Sequence, residues 1–134
     1  MFALLIAAVV ANFSAVKAPT SDYATAYQEA QQDGKPLMVV VSAQRCPACV
    51  SLKNTTLREL ESSGQLEDVR LVTVDSDAEP KLASQLMRGQ MIPQIIVFSQ
   101  PEVGRWQRTQ LTGYQTTGTI RNLLRKVASP LRRG

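Results

Sequence analysis

The chain predicts an α/β domain whose mixed central sheet of about four strands is flanked by helices, with one extra helix ahead of the first strand. Three observations lead there. Leu37, Met38, Val39, Val40 and Val41 form a continuous apolar run, as a central strand covered on both faces requires. Two further apolar runs, residues 69–74 and 95–99, are separated from it and from each other by segments of helical period. A turn at residues 101–104 then leads into an alternating segment, residues 105–112, that suits an antiparallel partner carrying Trp106. The order α-β-α-β-α-β-β-α gives a sheet that is parallel at first and closed by a hairpin.

Taken in order, residues 22–32 repeat Tyr23, Ala26, Tyr27 and Ala30 at helical spacing, with Ser21 or Asp22 as the cap. Asp33, Gly34, Lys35 and Pro36 end that helix and turn the chain into the first strand. From Pro47 to about Leu60 a helix is expected, with Val50, Leu52, Leu57 and Leu60 on one buried face and Ser62, Ser63 and Gly64 as its stop. Residues 79–88 read as a helix through Leu82, Ala83, Leu86 and Met87, with Gly89 as its C-terminal cap. The last helix spans about residues 116–128, with Ile120, Leu123, Leu124 and Val127 facing inward.

At 134 residues the chain is long enough for one domain to bury a core without help from metal or disulfides. The net charge of +4 is mild and the basic residues are scattered, apart from Arg121, Arg125, Lys126, Arg132 and Arg133. These read as a solvated helix face and tail; nucleic-acid binding would call for a dense basic stripe with exposed aromatics. Residues 1–16 carry no charged side chain and are rich in Ala, Val, Leu and Ile. That length matches a signal-peptide core better than a full membrane span. The expected division is therefore a signal peptide or membrane anchor over residues 1–18, a folded domain over 20–128 and a basic tail over 129–134. Export, or tethering outside the cytoplasm, follows; a cytoplasmic protein with an extra packed N-terminal element is the alternative.

The chemistry concentrates at Arg45-Cys46-Pro47-Ala48-Cys49, which holds the only two cysteines and directly follows the first strand. A strand feeding a Cys-x-x-Cys that opens a helix is the sequence form of a dithiol/disulfide redox site. Only deprotonated sulfur attacks a disulfide, and Cys46 would sit among the unpaired amides at the positive end of a helix. Pro47 suits the first helical position because it leaves no N–H unpaired. Arg45 adds a fixed positive charge, and Cys49 lies one turn on, within reach of Cys46. Three plainer readings compete. Zinc needs about four ligands, and the chain has two thiols and no histidine; a zinc shared across a dimer has nothing else pointing to it. A structural disulfide across two residues would constrain little chain entropy. Inert core thiols do not call for Arg45 and Pro47.

A second signal is Met91-Ile92-Pro93-Gln94, where proline cannot join a central ladder and the chain must bend before Ile95 begins to pair. With this piece the chain resembles the thioredoxin superfamily over residues 22–127. The resemblance rests on the strand before Cys46-Pro47-Ala48-Cys49, on Val72-Thr73-Val74-Asp75 and on the run from Leu86 to Pro93. It continues through Ile95-Ile96-Val97-Phe98, Glu102-Val103-Gly104 and Leu111-Thr112-Gly113-Tyr114. The Gly34-Lys35-Pro36-Leu37 entry is similar to secreted branches of that superfamily.

The resemblance implies a thioredoxin fold and a thiol–disulfide oxidoreductase with Cys46 and Cys49 as catalytic residues, Arg45 and Pro47 stabilising the thiolate, and Ile92 and Pro93 binding substrate. Pro93 would match the family's cis-proline, freeing the Ile92 backbone to pair with an extended substrate. Protein thiols and disulfides would be the substrates, with a redox recycling partner, a monomeric state, and no metal or organic cofactor. The chain departs from the family at three positions. Arg45 stands where a Trp is usual, Val40 where a buried Asp is usual, and Leu71 where that acid's lysine partner is usual. The missing buried acid at Val40 favours the alternative of a non-catalytic binding or chaperone module with a vestigial or redox-sensing cysteine pair, whereas the intact Cys46-Pro47-Ala48-Cys49 and Ile92-Pro93 oppose it.

Overall fold

The structure is a computed structural model and describes residues 22–127. The proposed leader of residues 1–18 and the basic tail of 129–134 lie outside the described residues. No helix among the described residues is long and apolar enough to cross a membrane.

The chain runs α1 (Tyr23–Asp33), β1 (Leu37–Ser42), α2 (Pro47–Ser51), a π-helical turn (Leu52–Leu57), α3 (Arg58–Ser62), β2 (Arg70–Asp75), α4 (Pro80–Leu86), β3 (Gln94–Glu102), β4 (Arg105–Thr112) and α5 (Thr117–Lys126). The strands form one mixed sheet in the order β2-β1-β3-β4. β1 pairs parallel with β2 and antiparallel with β3, and β3 pairs antiparallel with β4. This is the four-strand mixed sheet with a closing hairpin that the apolar runs predict.

β1 is buried from Leu37 to Val41, as a central strand must be. Its alternate side chains feed two cores. Leu37, Val39 and Val41 join Ala26, Ala30, Val72, Val74, Ala83, Leu86 and Ile96 on the face covered by α1 and α4. Met38 and Val40 join Leu52, Leu57, Leu60, Ile95, Val97 and Ile120 on the face covered by the π-helical turn, α3 and α5. The period of two along the strand thus divides one apolar run between two layers.

Several expectations are corrected in detail. The helix after Pro47 is not a single α-helix, and Val50 is exposed rather than part of its buried face. Leu52 and Leu57 stand five residues apart, which on an α-helix would aim them about 140° from each other. The π turn gathers the extra residue and returns both to the same core. The Thr55 hydroxyl donates to the Ser51 carbonyl at 2.6 Å, a side-chain bond that competes with the regular helix ladder.

At α1, Asp22 takes the cap position but its side chain makes no capping hydrogen bond, and Tyr27 faces outward, stacked on Tyr23 at 6.1 Å between centroids. Helix α4 ends at Leu86. Met87 is already extended, so Gly89, with φ of +77°, turns the loop beyond and is not the helix cap. β3 begins at Gln94 and continues through Pro101 to Glu102, so the hairpin turn falls two residues later than expected. The extra strand length is absorbed by an irregular register between Ser99 and Glu102.

Candidate functional site

Cys46 is the N-cap of α2, with extended backbone (φ −106°, ψ 106°), and Pro47 follows as the first helical residue. Its sulfur accepts the Cys49 amide hydrogen at 3.2 Å, and its carbonyl accepts the Val50 amide at 3.0 Å. The helix start therefore directs an otherwise unpaired N–H at the sulfur, which favours negative charge there. Cys46 and Cys49 are joined in a disulfide, with Cα atoms 5.1 Å apart. Cys46 is half-buried, whereas Cys49 is only 5% exposed, and Arg45 and Pro47 lie in solvent beside the pair.

The second signal meets the first. The Ile92–Pro93 peptide is cis, and the Ile92 carbonyl oxygen lies 3.9 Å from the Cys46 sulfur. The fold thus brings together Cys46, Cys49 and Ile92. Pro93 is buried, and its carbonyl accepts the Gly113 amide at 2.8 Å, tying the segment to the end of β4. Gly113 has φ of +88°, a conformation that an L side chain rarely adopts. Beside Cys49 a cavity of about 380 Å³ is lined by residues that include Val40, Cys49, Lys53, Asn54, Thr73 and Asp75. Val40, in the lining of that cavity, is apolar and 2% exposed.

Gln94 is the side chain that sequence reading passed over. It is fully buried, and its amide nitrogen lies 3.0 Å, 3.2 Å and 3.0 Å from the carbonyls of Arg88, Gly89 and Met91. Two hydrogens serve three acceptors, so one is shared. Its oxygen accepts the Arg88 amide at 3.1 Å. From β4, Gln110 donates to the same Arg88 carbonyl at 3.3 Å, and Arg108 donates to the Leu86 carbonyl at 2.6 Å and to the Gln110 side-chain oxygen at 2.7 Å. Burial, and then repulsion from Arg88, lowers the Arg108 guanidinium from its usual value. The one available signal in the sequence was a lone amide between Pro93 and the apolar Ile95-Ile96-Val97, where a strand entering the core gains nothing from a polar side chain without partners.

On the far side of the helix, Thr56 is 1% exposed and donates to the Gln115 carbonyl at 2.7 Å, anchoring the π turn to the segment before α5. No cluster of three or more His, Cys, Asp or Glu that could hold a metal occurs among the described residues.

A family described as thioredoxin-like matches residues 18–100. Among solved structures, a thioredoxin from Thermus thermophilus is 26% identical, covering 78% of this chain and 82% of its own, with a TM-score of 0.65. The germline-specific thioredoxin Deadhead from Drosophila melanogaster is 18% identical over 80% and 92%, with a TM-score of 0.63. Chloroplastic thioredoxin z is 21% identical over 75% and 87%, with a TM-score of 0.61. No curated protein sequence matches the chain. The four-strand sheet with its flanking helices is a thioredoxin fold, and a cysteine pair within disulfide distance on that fold supports a redox function.

Proposed function

The chain belongs to the thioredoxin-like family, and from that premise we propose that it is a thiol–disulfide oxidoreductase acting on protein substrates through Cys46 and Cys49. The observation that carries this reading is the Cys46 sulfur, which caps a helix, accepts the Cys49 amide and faces the Ile92 carbonyl. In the reducing direction the Cys46 thiolate attacks one sulfur of a substrate disulfide. That bond breaks, a mixed disulfide forms, and the first substrate sulfur leaves as a thiolate that takes up a proton. Cys49 then loses its proton and attacks the Cys46 sulfur. The second substrate thiol departs, and Cys46–Cys49 is left oxidised. A dithiol donor restores the reduced pair. The oxidising direction runs the same steps backwards, and the potential of the pair against its compartment sets which one prevails.

Arg45 and Pro47 act on the Cys46 thiolate through charge and through the helix start, and Ile92 and Pro93 hold the substrate backbone. The exposed side chains Val50 and Met91, next to Cys49 and Ile92, offer the substrate apolar contact. Insulin reduction by dithiothreitol tests the reading: the wild type should accelerate it and Cys46→Ser should not. Equal rates for the two proteins would leave the second reading, a non-catalytic thioredoxin-like binding module. That reading is favoured by Val40, which puts no carboxylate beneath Cys49 to take its proton.

The uncharged apolar residues 1–16 support a site of action outside the cytoplasm. N-terminal sequencing of the protein recovered from its own cell tests this, and an intact Met1 in the cytosolic fraction would overturn it.

A further inference from the structure

We propose that Gln94 is a positioning residue whose side chain, backed by Gln110 and Arg108, clamps the loop carrying Met91 and Ile92 at the distance from Cys46 that a protein substrate needs. The inference rests on the oxidoreductase reading above and adds a residue through which that site selects its substrates.

The segment between the end of α4 and Pro93 lies outside any helix or strand, and Arg88 to Met91 are exposed. Such a segment would ordinarily move freely. Here its carbonyls are captured from beneath by side chains of the sheet. Gln94 reaches Arg88, Gly89 and Met91, Gln110 reaches Arg88 again, and Arg108 holds Leu86 at the last turn of α4. Gln94 also takes the Arg88 amide, so this one buried side chain grips the loop as both donor and acceptor.

The placement is costly without these bonds, because a fully buried amide that lost them would retain its desolvation penalty. Gln94 belongs to β3, paired with Val41 on one side and Thr112 on the other, so the clamp is mounted on rigid sheet. Its last bond holds the Met91 carbonyl, one residue before the Ile92 carbonyl that lies 3.9 Å from the Cys46 sulfur. A substrate backbone that pairs beside Cys46 needs that edge fixed in advance, whereas a small disulfide with no backbone does not.

The test uses the full chain and two disulfide probes, insulin and the small aromatic disulfide 5,5′-dithiobis(2-nitrobenzoate). Gln94→Leu removes the clamp at nearly constant volume. It should raise the KM for insulin by about tenfold with kcat little changed. The reduced variant should react with the small disulfide within about twofold of the wild-type rate, because attack at Cys46 needs no loop. A loss of equal size with both probes, or no change with either, overturns the proposal while leaving the oxidoreductase reading intact. A wild-type protein that does not accelerate insulin reduction overturns that reading, and the clamp's role falls with it. Should Gln94→Leu not fold, the half-buried Gln110→Leu carries the test. It should raise the insulin KM by about threefold, and a folded Gln110→Leu with wild-type KM overturns the proposal.

Discussion

The sulfur of Cys46 and the carbonyl oxygen of Ile92 stand 3.9 Å apart although 46 positions separate them in the chain. One is carried to the site by the end of β1 and the other by the start of β3, and these strands are antiparallel neighbours. The same contact marks the outer sulfur of the pair, since Cys49 is 5% exposed and turned towards the core. Cys46 should therefore be the thiol that reacts first. In the reduced protein, iodoacetamide at mildly acidic pH followed by peptide mapping should label Cys46 several times faster than Cys49; the reverse order would refute the assignment.

Thr56 should matter more to stability than an exposed helix position would. Its hydroxyl is the donor to the Gln115 carbonyl, and the side chain is buried. Thr56→Val keeps the shape and removes the donor, which should cost about 1–3 kcal/mol. Urea unfolding measures this. A variant as stable as the wild type would mean that the π turn is held by its apolar contacts alone.

Gly113 isolates a purely conformational cost. It has φ of +88°, and a Cβ built there would meet nothing within 4 Å. Gly113→Ala should therefore lose about 1–2 kcal/mol through backbone strain without a clash. Its amide donates to Pro93, so the variant should also show faster amide exchange at that position. Unchanged stability would show that the turn relaxes freely.

Asp33 gives the fold an acid-sensitive contact. Burial alone would push its carboxyl up, but the Lys35 amide at 2.9 Å and the Arg70 guanidinium at 2.6 Å reverse this and hold it below its usual range. A carboxyl lowered in the folded state stabilises the protein above its unfolded pKa of about 4. That contribution disappears as pH falls through the lower folded value. Asp33→Asn should therefore be less stable than the wild type at pH 6, with the difference closing towards pH 2. A gap between the two proteins that stayed constant across this range would exclude the linkage.

The strand sequence was legible because β1 is apolar from Leu37 to Val41, β2 and β3 each contain a short apolar run between segments of helical period, and β4 follows a turn as an alternating segment. The cysteine pair and the Ile92-Pro93 segment were legible because both break the surrounding pattern in ways tied to chemistry. The π turn was hidden, since Leu52 and Leu57 look like ordinary helix apolars until their five-residue spacing is set against a common core. The end of α4 was misplaced because Gly89 offered a familiar cap, whereas Arg108 and Gln110 capture carbonyls there from a strand some twenty residues away. Such partners are tertiary and have no local signature. Gln94 escaped for the same reason: whether a strand glutamine is buried or solvated depends on a loop that folds back over it.

The sheet order also sets a sequence in time. β1 is central, yet both of its partners, β2 and β3, are made after it. During synthesis at about 5–20 residues per second, β3 follows Cys46 by several seconds. Throughout that interval both thiols exist without the loop that later covers one of them. Until β3 is made, no Ile92 carbonyl can stand beside the Cys46 sulfur, so the substrate edge of the site is a late product of synthesis whereas its cysteines are an early one.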